Sequence, residues 1–158
     1  MLNAATPMPA RLLPGTGVRV RRGRRRDLPQ LQVVLGAPAT DRLERFYRRI
    51  LADLGMDVYV AEDPEGAIVG VVSLAYRRSL VRGGVSAFLD GVRTREAPAV
   101  LEGLVAFAEE RARRRGCCRL AAWVETGDGE LRAALIARGY RVGELLTTDL
   151  ALDRPGAA

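Results

Sequence analysis

Histidine and lysine are both absent from this chain of 158 residues. Without histidine no Ser-His or Cys-His nucleophile can be assembled, so any general base has to be a carboxylate, a water or a substrate amine. Without lysine there is no Schiff-base chemistry, and all 25 basic residues are arginine. Cysteine is scarce too. Cys117 and Cys118 are adjacent in a predicted strand, where neighbouring side chains point to opposite faces, so no structural disulfide between them is expected. Two thiols and no histidine fall short of a metal centre, and the pair reads as small buried hydrophobes. No metal is expected. No apolar run approaches the roughly 18 residues a membrane span needs. Residues 1–15 lack both a charged start and a continuous apolar block, so they read as a tail rather than a secretory signal, and a cytoplasmic location is the expectation.

The chain does carry a substantial core and a basic surplus. Apolar residues make up 48% and the net charge is +6, which suits one domain and an acidic partner. Six arginines fall between Arg19 and Arg26. There the valines alternate with arginines, as in a strand with one wet face. A solvated edge and turn explains this cluster, and a nucleic-acid or acidic-peptide patch is the alternative. No aromatic residue interleaves with these arginines, which argues against single-strand binding through them. The breaker Pro14-Gly15 separates a loosely docked or disordered tail, 1–16, from a domain at 17–152, with a second tail at 153–158.

Periodicity orders the elements. Val18–Arg22 is a strand, and Asp27 is the N-cap candidate of a short helix reaching about Leu35. A second helix starts at Thr40 or Asp41 and carries Leu43, Phe46, Tyr47, Ile50 and Leu51 on one face. Asp57–Ala61 and Ala67–Arg77 flank the turn Asp63-Pro64-Glu65-Gly66, which makes an antiparallel hairpin. Val85–Val92 follows as a strand. From Ala97 to Arg115 the apolar residues Ala97, Leu101, Leu104, Val105, Ala108 and Ala112 form one stripe. Arg111, Arg113, Arg114 and Arg115 crowd its last turn, where the helix dipole favours cations, and Gly116 is its left-handed cap. Cys117–Val124 is a strand, Asp128 heads a helix from Glu130 to Arg138, and Tyr140–Gly143 and Leu145–Leu152 close the order as strands. The pattern gives an α/β fold: a mixed, mostly antiparallel twisted sheet of about seven strands with helices on both faces.

The phrases VRVRRGRRRDLPQL, VYVAEDPEGAIVGVVSLAYR and RGCCRLAAWVETGDGELRAALIARGYRVG, in this order and spacing, resemble the GNAT acyl-CoA N-acyltransferases over about residues 17–152. That resemblance implies the GNAT fold, acetyl-CoA as cosubstrate and acetyl transfer to a primary amine, the acceptor being a small molecule or a peptide. It leaves a homodimer open and implies no membrane partner. In the family a turn of pattern Arg/Gln-x-x-Gly-x-Gly/Ala before the long helix holds the CoA diphosphate on its amides. Counting back from Gly116 places Glu96, Ala99 and Leu101 at those positions, with Pro98 inside the turn. The cosubstrate residues implied are Gly91, Val92, Arg93, Arg95, Ala97, Ala99, Val100 and Leu101. The family's leaving-group tyrosine falls on Leu135, and its helix-start asparagine on Asp128.

Acyl transfer needs a neutral amine, and the candidates to take its proton are Asp90, in the strand expected to line the cleft, and Glu125, beyond the next strand. Tyr76 and Tyr140 are the weaker candidates for the acid, with Tyr59 behind them. Two other readings stand beside the enzyme. One is a GNAT-fold protein that binds a ligand or partner without catalysis, and the other is a nucleic-acid module using Arg19–Arg26.

Overall fold

The computed structural model describes residues 8–148. A short strand, β1 (Arg11–Leu12), precedes β2 (Arg19–Arg22) and a 3-10 turn at Arg25–Asp27. Helices α1 (Leu28–Leu35) and α2 (Asp41–Ala52) lead to three long strands, β3 (Met56–Glu62), β4 (Ile68–Arg78) and β5 (Val85–Thr94). Then come α3 (Pro98–Arg114), β6 (Cys117–Ala122) and α4 (Gly129–Ala137). The six strands form one sheet in the order β1-β2-β3-β4-β5-β6. Every neighbouring pair is antiparallel except β5 and β6, which are parallel and joined through α3.

Both faces of the sheet are covered, and the strand alternation shows how. Tyr59 and Ala61 of β3 point to one side, with Val72 and Leu74 of β4, where Leu101, Leu104, Val105 and Ala108 of α3 and Leu131 and Leu135 of α4 close the core. Val58, Val60, Ile68 and Val71 point to the other, under Leu28 and Leu31 of α1 and Tyr47 of α2. Side chains alternate across a strand, so β3 and β4 must be apolar at nearly every position to serve both layers. Gly70 lets α3 approach closely, since a Cβ there would stand 3.2 Å from Leu104 Cδ1 and 3.0 Å from the Arg93 carbonyl. Thr40 caps α2 by accepting from Leu43 N at 3.1 Å, and Asp128 caps α4 by accepting from Leu131 N at 3.1 Å. Gly116 ends α3 in the left-handed conformation (φ 75°), as the sequence indicates.

Several expectations are corrected. Six strands are present among the described residues rather than about seven. Residues 140 to 148 are irregular, so Tyr140–Gly143 is not a strand, and the second half of Leu145–Leu152 lies outside the described residues. Within the expected tail, residues 11 and 12 pair with β2, and Met8 and Leu13 are buried in the core. Cys117 is half-buried and Cys118 exposed, because β6 is the last strand of the sheet and its outer side lacks a neighbour among the described residues. Phe46 is 59% exposed, at the margin of the buried face of α2. Asp27 stands at the N-cap position of α1, but its side chain makes no cap bond there. Its carboxylate turns back to accept from Arg24 N at 2.7 Å and from both Arg21 Nη atoms at 2.8 and 3.0 Å. Burial works against that charge, but Arg21 and the Arg24 amide outweigh it and hold the carboxyl below its ordinary range.

The largest departure concerns the end of α3. Arg111 and Arg115, read from the sequence only as cations favoured by the helix dipole, are buried. Arg111 Nε donates to Asp57 Oδ2 at 2.6 Å, and the same oxygen accepts from the Tyr76 hydroxyl at 2.8 Å. Arg115 lies 4.2 Å over the Tyr76 ring and donates to the Leu54 carbonyl at 2.5 Å. A charged cluster therefore ties α3 to β3 and β4 at the end of the sheet where β5 and β6 begin.

Candidate functional site

The parallel pairing of β5 with β6 runs from Val85 opposite Cys117 to Leu89 opposite Ala122 and stops there. The last bond across the pair is from Trp123 N to the Leu89 carbonyl, already stretched to 3.4 Å. Beyond it β5 continues to Thr94 on β4 alone, while the other chain departs toward α4. Among the described residues, the side of β5 that faced β6 is thus left without a strand neighbour from Asp90 to Thr94. At the same level β5 carries a bulge: Ser73 pairs with Gly91 but Leu74 pairs with Leu89, so Asp90 is the extra residue. A bulge re-aims side chains and ends pairing, and Asp90 is exposed here. Gly91 is half-buried and Val92 is 1% exposed in the core.

One arginine spans the gap. Arg93 on β5 reaches Asp128 at 3.4 Å and Glu125 at 3.6 Å, and also donates to the Val92 carbonyl at 2.9 Å. Glu125, with its side chain 70% exposed, and Asp128 are therefore brought to the mouth of the opening by the segment after β6. The structure places both base candidates at this opening, but in different company. Glu125 faces Arg93, whereas Asp90 stands on the bulge with no ion pair among the described residues. Trp123, 44% exposed, belongs to the same segment.

The turn into α3 is tightly used. Arg95 N donates to the Val69 carbonyl at 2.8 Å, Glu96 N to Thr94 Oγ1 at 3.0 Å and Val100 N to the Ala97 carbonyl at 2.9 Å. Pro98 has no N–H, and Leu101 N is taken into the first helical bond. The amides of Ala97 and Ala99 are what this turn leaves for a ligand, next to the exposed Arg95 and Glu96. The Val100 and Leu101 side chains are buried.

The tyrosines have other partners. Tyr76 donates its proton to buried Asp57, and burial, then the Asp57 charge, pushes its pKa up. Tyr59 is fully buried, edge-on to Phe107 at 4.8 Å between ring centres, with burial again raising its pKa. Tyr140 packs against the core beside Glu109, with burial first and the Glu109 charge second raising its pKa. The contacts of Tyr76 and Tyr140 are with Asp57 and Glu109 rather than with Asp90, Arg93 or Glu125, and in strands and at a helix end such rings commonly serve packing. Leu135, at the family's tyrosine position, is 3% exposed in the core. Sequence reasoning missed Asp57 and Arg111. A signal existed, because Arg111 falls three residues after Ala108 on the apolar stripe of α3 and so faces inward.

No protein-family model matches the chain, and no curated protein matches it either. Solved structures do. A transcriptional regulator from Bacillus halodurans C-125 superposes with TM-score 0.71 at 24% identity, over 84% of this chain and 99% of that one. An aminoglycoside 6'-N-acetyltransferase from Acinetobacter baumannii gives 0.70 at 16% identity, over 86% and 99%. A ribosomal-protein-alanine N-acetyltransferase from Brucella melitensis biovar Abortus 2308 gives 0.67 at 16% identity, over 85% and 99%. The chain therefore has the GNAT acyltransferase fold, with six strands among the described residues. No helix among those residues is long and apolar enough to cross a membrane.

Proposed function

We propose that the protein is an acyl-CoA-dependent N-acyltransferase that moves an acetyl group from acetyl-CoA to a primary amine. The observation that carries this reading is the parting of β5 from β6 at a bulge. It leaves a run of backbone amides and carbonyls facing an open slot, and such an edge takes up an extended, amide-bearing chain by strand addition. The pantetheine arm of acetyl-CoA has that chemistry. The residues at the slot's far end fit a diphosphate: Ala97 and Ala99 amides at the start of α3, the helix dipole behind them, and Arg95 beside them. The cosubstrate supplies an activated acyl group on a thiolate that leaves readily. The chain's part is to hold it along β5, polarise its carbonyl with a strand amide and remove a proton from the amine.

Asp90 is the residue assigned to that proton, through a water or directly, and Glu125 assists from the opposite wall. Arg93 already binds the acids of that wall, so it sets how far the slot opens. With Leu135 where a tyrosine donor would stand, the thiolate is protonated by water, and turnover is slow or narrow in substrate. The acceptor is a small-molecule or peptide amine, and a cytoplasmic site of action and a homodimer are compatible with this reading. Purified protein is expected to release CoA thiol from acetyl-CoA when the right amine is present in a panel of aminoglycosides, polyamines and peptide N-termini. Asp90→Asn with Glu125→Gln is expected to lower that rate about 100-fold or more while acetyl-CoA affinity stays within twofold. An unchanged rate removes both carboxylates from the chemistry.

A second reading is favoured by one feature, the turn before α3. It has two usable amides and an acid, Glu96. A GNAT-fold protein that binds a ligand or partner without catalysis would keep the slot and tolerate this turn. Cosubstrate binding with no thiol release across the whole panel would establish it.

A further inference from the structure

The arginines around β2 and α2 divide into two sets. Arg19 and Arg21 are neutralised by Glu62 and Asp27 at 2.5, 2.6 and 2.8 Å, and Arg22 leans toward Asp57 at 3.9 Å. Arg24, which precedes the 3-10 turn, Arg25 and Arg26 within it, and Arg45, Arg48 and Arg49 on α2 are exposed, and none has a salt-bridge partner among the described residues. Of the Arg19–Arg26 cluster, Arg24, Arg25 and Arg26 are thus the exposed members without an ion pair among the described residues, and α2 adds three more arginines.

Its shape is concave. Arg25, Arg45, Arg48 and Arg49, with Ala52, line a cavity of about 320 Å³ whose wall contains no acid. Arg24 and Arg26 line a second cavity of about 410 Å³, with Glu62 as its one acid. Like charges three and four residues apart weaken a helix, and Arg45, Arg48 and Arg49 have that spacing. An anion bound in the cavity would relieve their repulsion. The two cavities draw on successive residues of one segment, Arg24 and Arg26 for one and Arg25 for the other, which offers positions for more than one phosphate. Guanidinium forks bind phosphate oxygens in pairs. Phe46, 59% exposed, flanks the same face of α2 at four residues from Arg42 and three from Arg49, which gives a base a ring to stack on. An acidic peptide would use the charges but not the ring.

We infer that this face, made by the 3-10 turn and α2, binds the phosphate backbone of single-stranded nucleic acid without sequence preference. It stands at the β2–β3 side of the sheet, with β4 between it and the β5–β6 slot, so it does not depend on the acyltransferase reading. The test is fluorescence anisotropy of the full chain with a labelled oligouridylate of about 20 nucleotides, titrated between about 50 and 200 mM salt. Binding is expected at the low end and is expected to weaken as salt rises. Arg45→Ser, Arg48→Ser and Arg49→Ser together should cost at least tenfold in affinity at about 50 mM and flatten the salt slope by about 2, since each single-strand phosphate contact contributes about 0.7. Arg25→Ser, on the other element, should weaken binding in the same direction and guards against a folding defect confined to α2. Phe46→Ala should lower affinity at every salt concentration and leave the slope unchanged. A control triple variant, Arg82→Ser, Arg119→Ser and Arg132→Ser, removes the same charge elsewhere and should stay within twofold of the original. Equal losses in the two triple variants would reduce the effect to net charge and overturn the site. So would absence of binding at about 50 mM, and polyglutamate competing as well as unlabelled oligouridylate would reassign the face to acidic polypeptides.

Discussion

Arg111→Ala is expected to lower unfolding free energy by about 3–5 kcal/mol, the cost of leaving one member of a buried ion pair alone. Arg111 is 1% exposed and Asp57 3%, and their contact at 2.6 Å is shared with the Tyr76 hydroxyl on the same carboxylate oxygen. Removing the guanidinium leaves Asp57 charged under β3, with Tyr76 and the more distant Arg115 and Arg22 as partial compensation. Urea unfolding monitored by circular dichroism reads the loss directly. Replacing both partners together, Asp57→Leu with Arg111→Leu, is expected to restore most of it, because two apolar groups leave no charge uncompensated. A single-variant loss below about 1 kcal/mol would show the pair to be solvated.

Leu104→Ala is expected to cost about 2–5 kcal/mol, the range for emptying a fully enclosed leucine site. Leu104 has no exposed surface, and its Cδ1 closes on the backbone at Gly70, where no side chain can swing in to fill the space. The void would therefore persist. The denaturation midpoint should fall with the slope unchanged, since the same surface is exposed on unfolding. A cost under about 1 kcal/mol would contradict the packing of α3 on β4.

These two residues also show what could be read before the structure. Leu104 was legible because a helix stripe repeats every three or four residues and the eye needs only apolar letters to follow it. Arg111 lies on the same stripe but reads as a surface charge, since its burial depends on Asp57, which is 54 residues away in sequence. The β3–β4 hairpin was equally legible, from a four-residue turn between alternating apolar runs. A cleft lined by the strand of Asp90 was expected only through family resemblance, and the parting of β5 from β6 comes from the structure. The bulge that positions Asp90 is a register shift against β4, and its mark in the sequence is slight: Asp90-Gly91 interrupts the inward alternation of Ala87 and Leu89, which resumes at Val92. Tyr76 and Tyr140 could not be sorted from strand letters alone, since a packing ring and a catalytic ring have the same spacing. The basic face of α2 was hidden for a similar reason. Its arginines gain meaning only when the 3-10 turn at Arg25 is placed beside them.

Isothermal titration calorimetry with acetyl-CoA tests the central claim, that the slot between β5 and β6 holds an acyl-CoA. One molecule of acetyl-CoA is expected to bind per chain. Arg95→Glu should weaken that binding at low ionic strength, and the weakening should shrink as salt is added, because Arg95 is exposed beside the Ala97 and Ala99 amides and exposed charges are screened. A folded protein that shows no heat at millimolar acetyl-CoA would contradict the account.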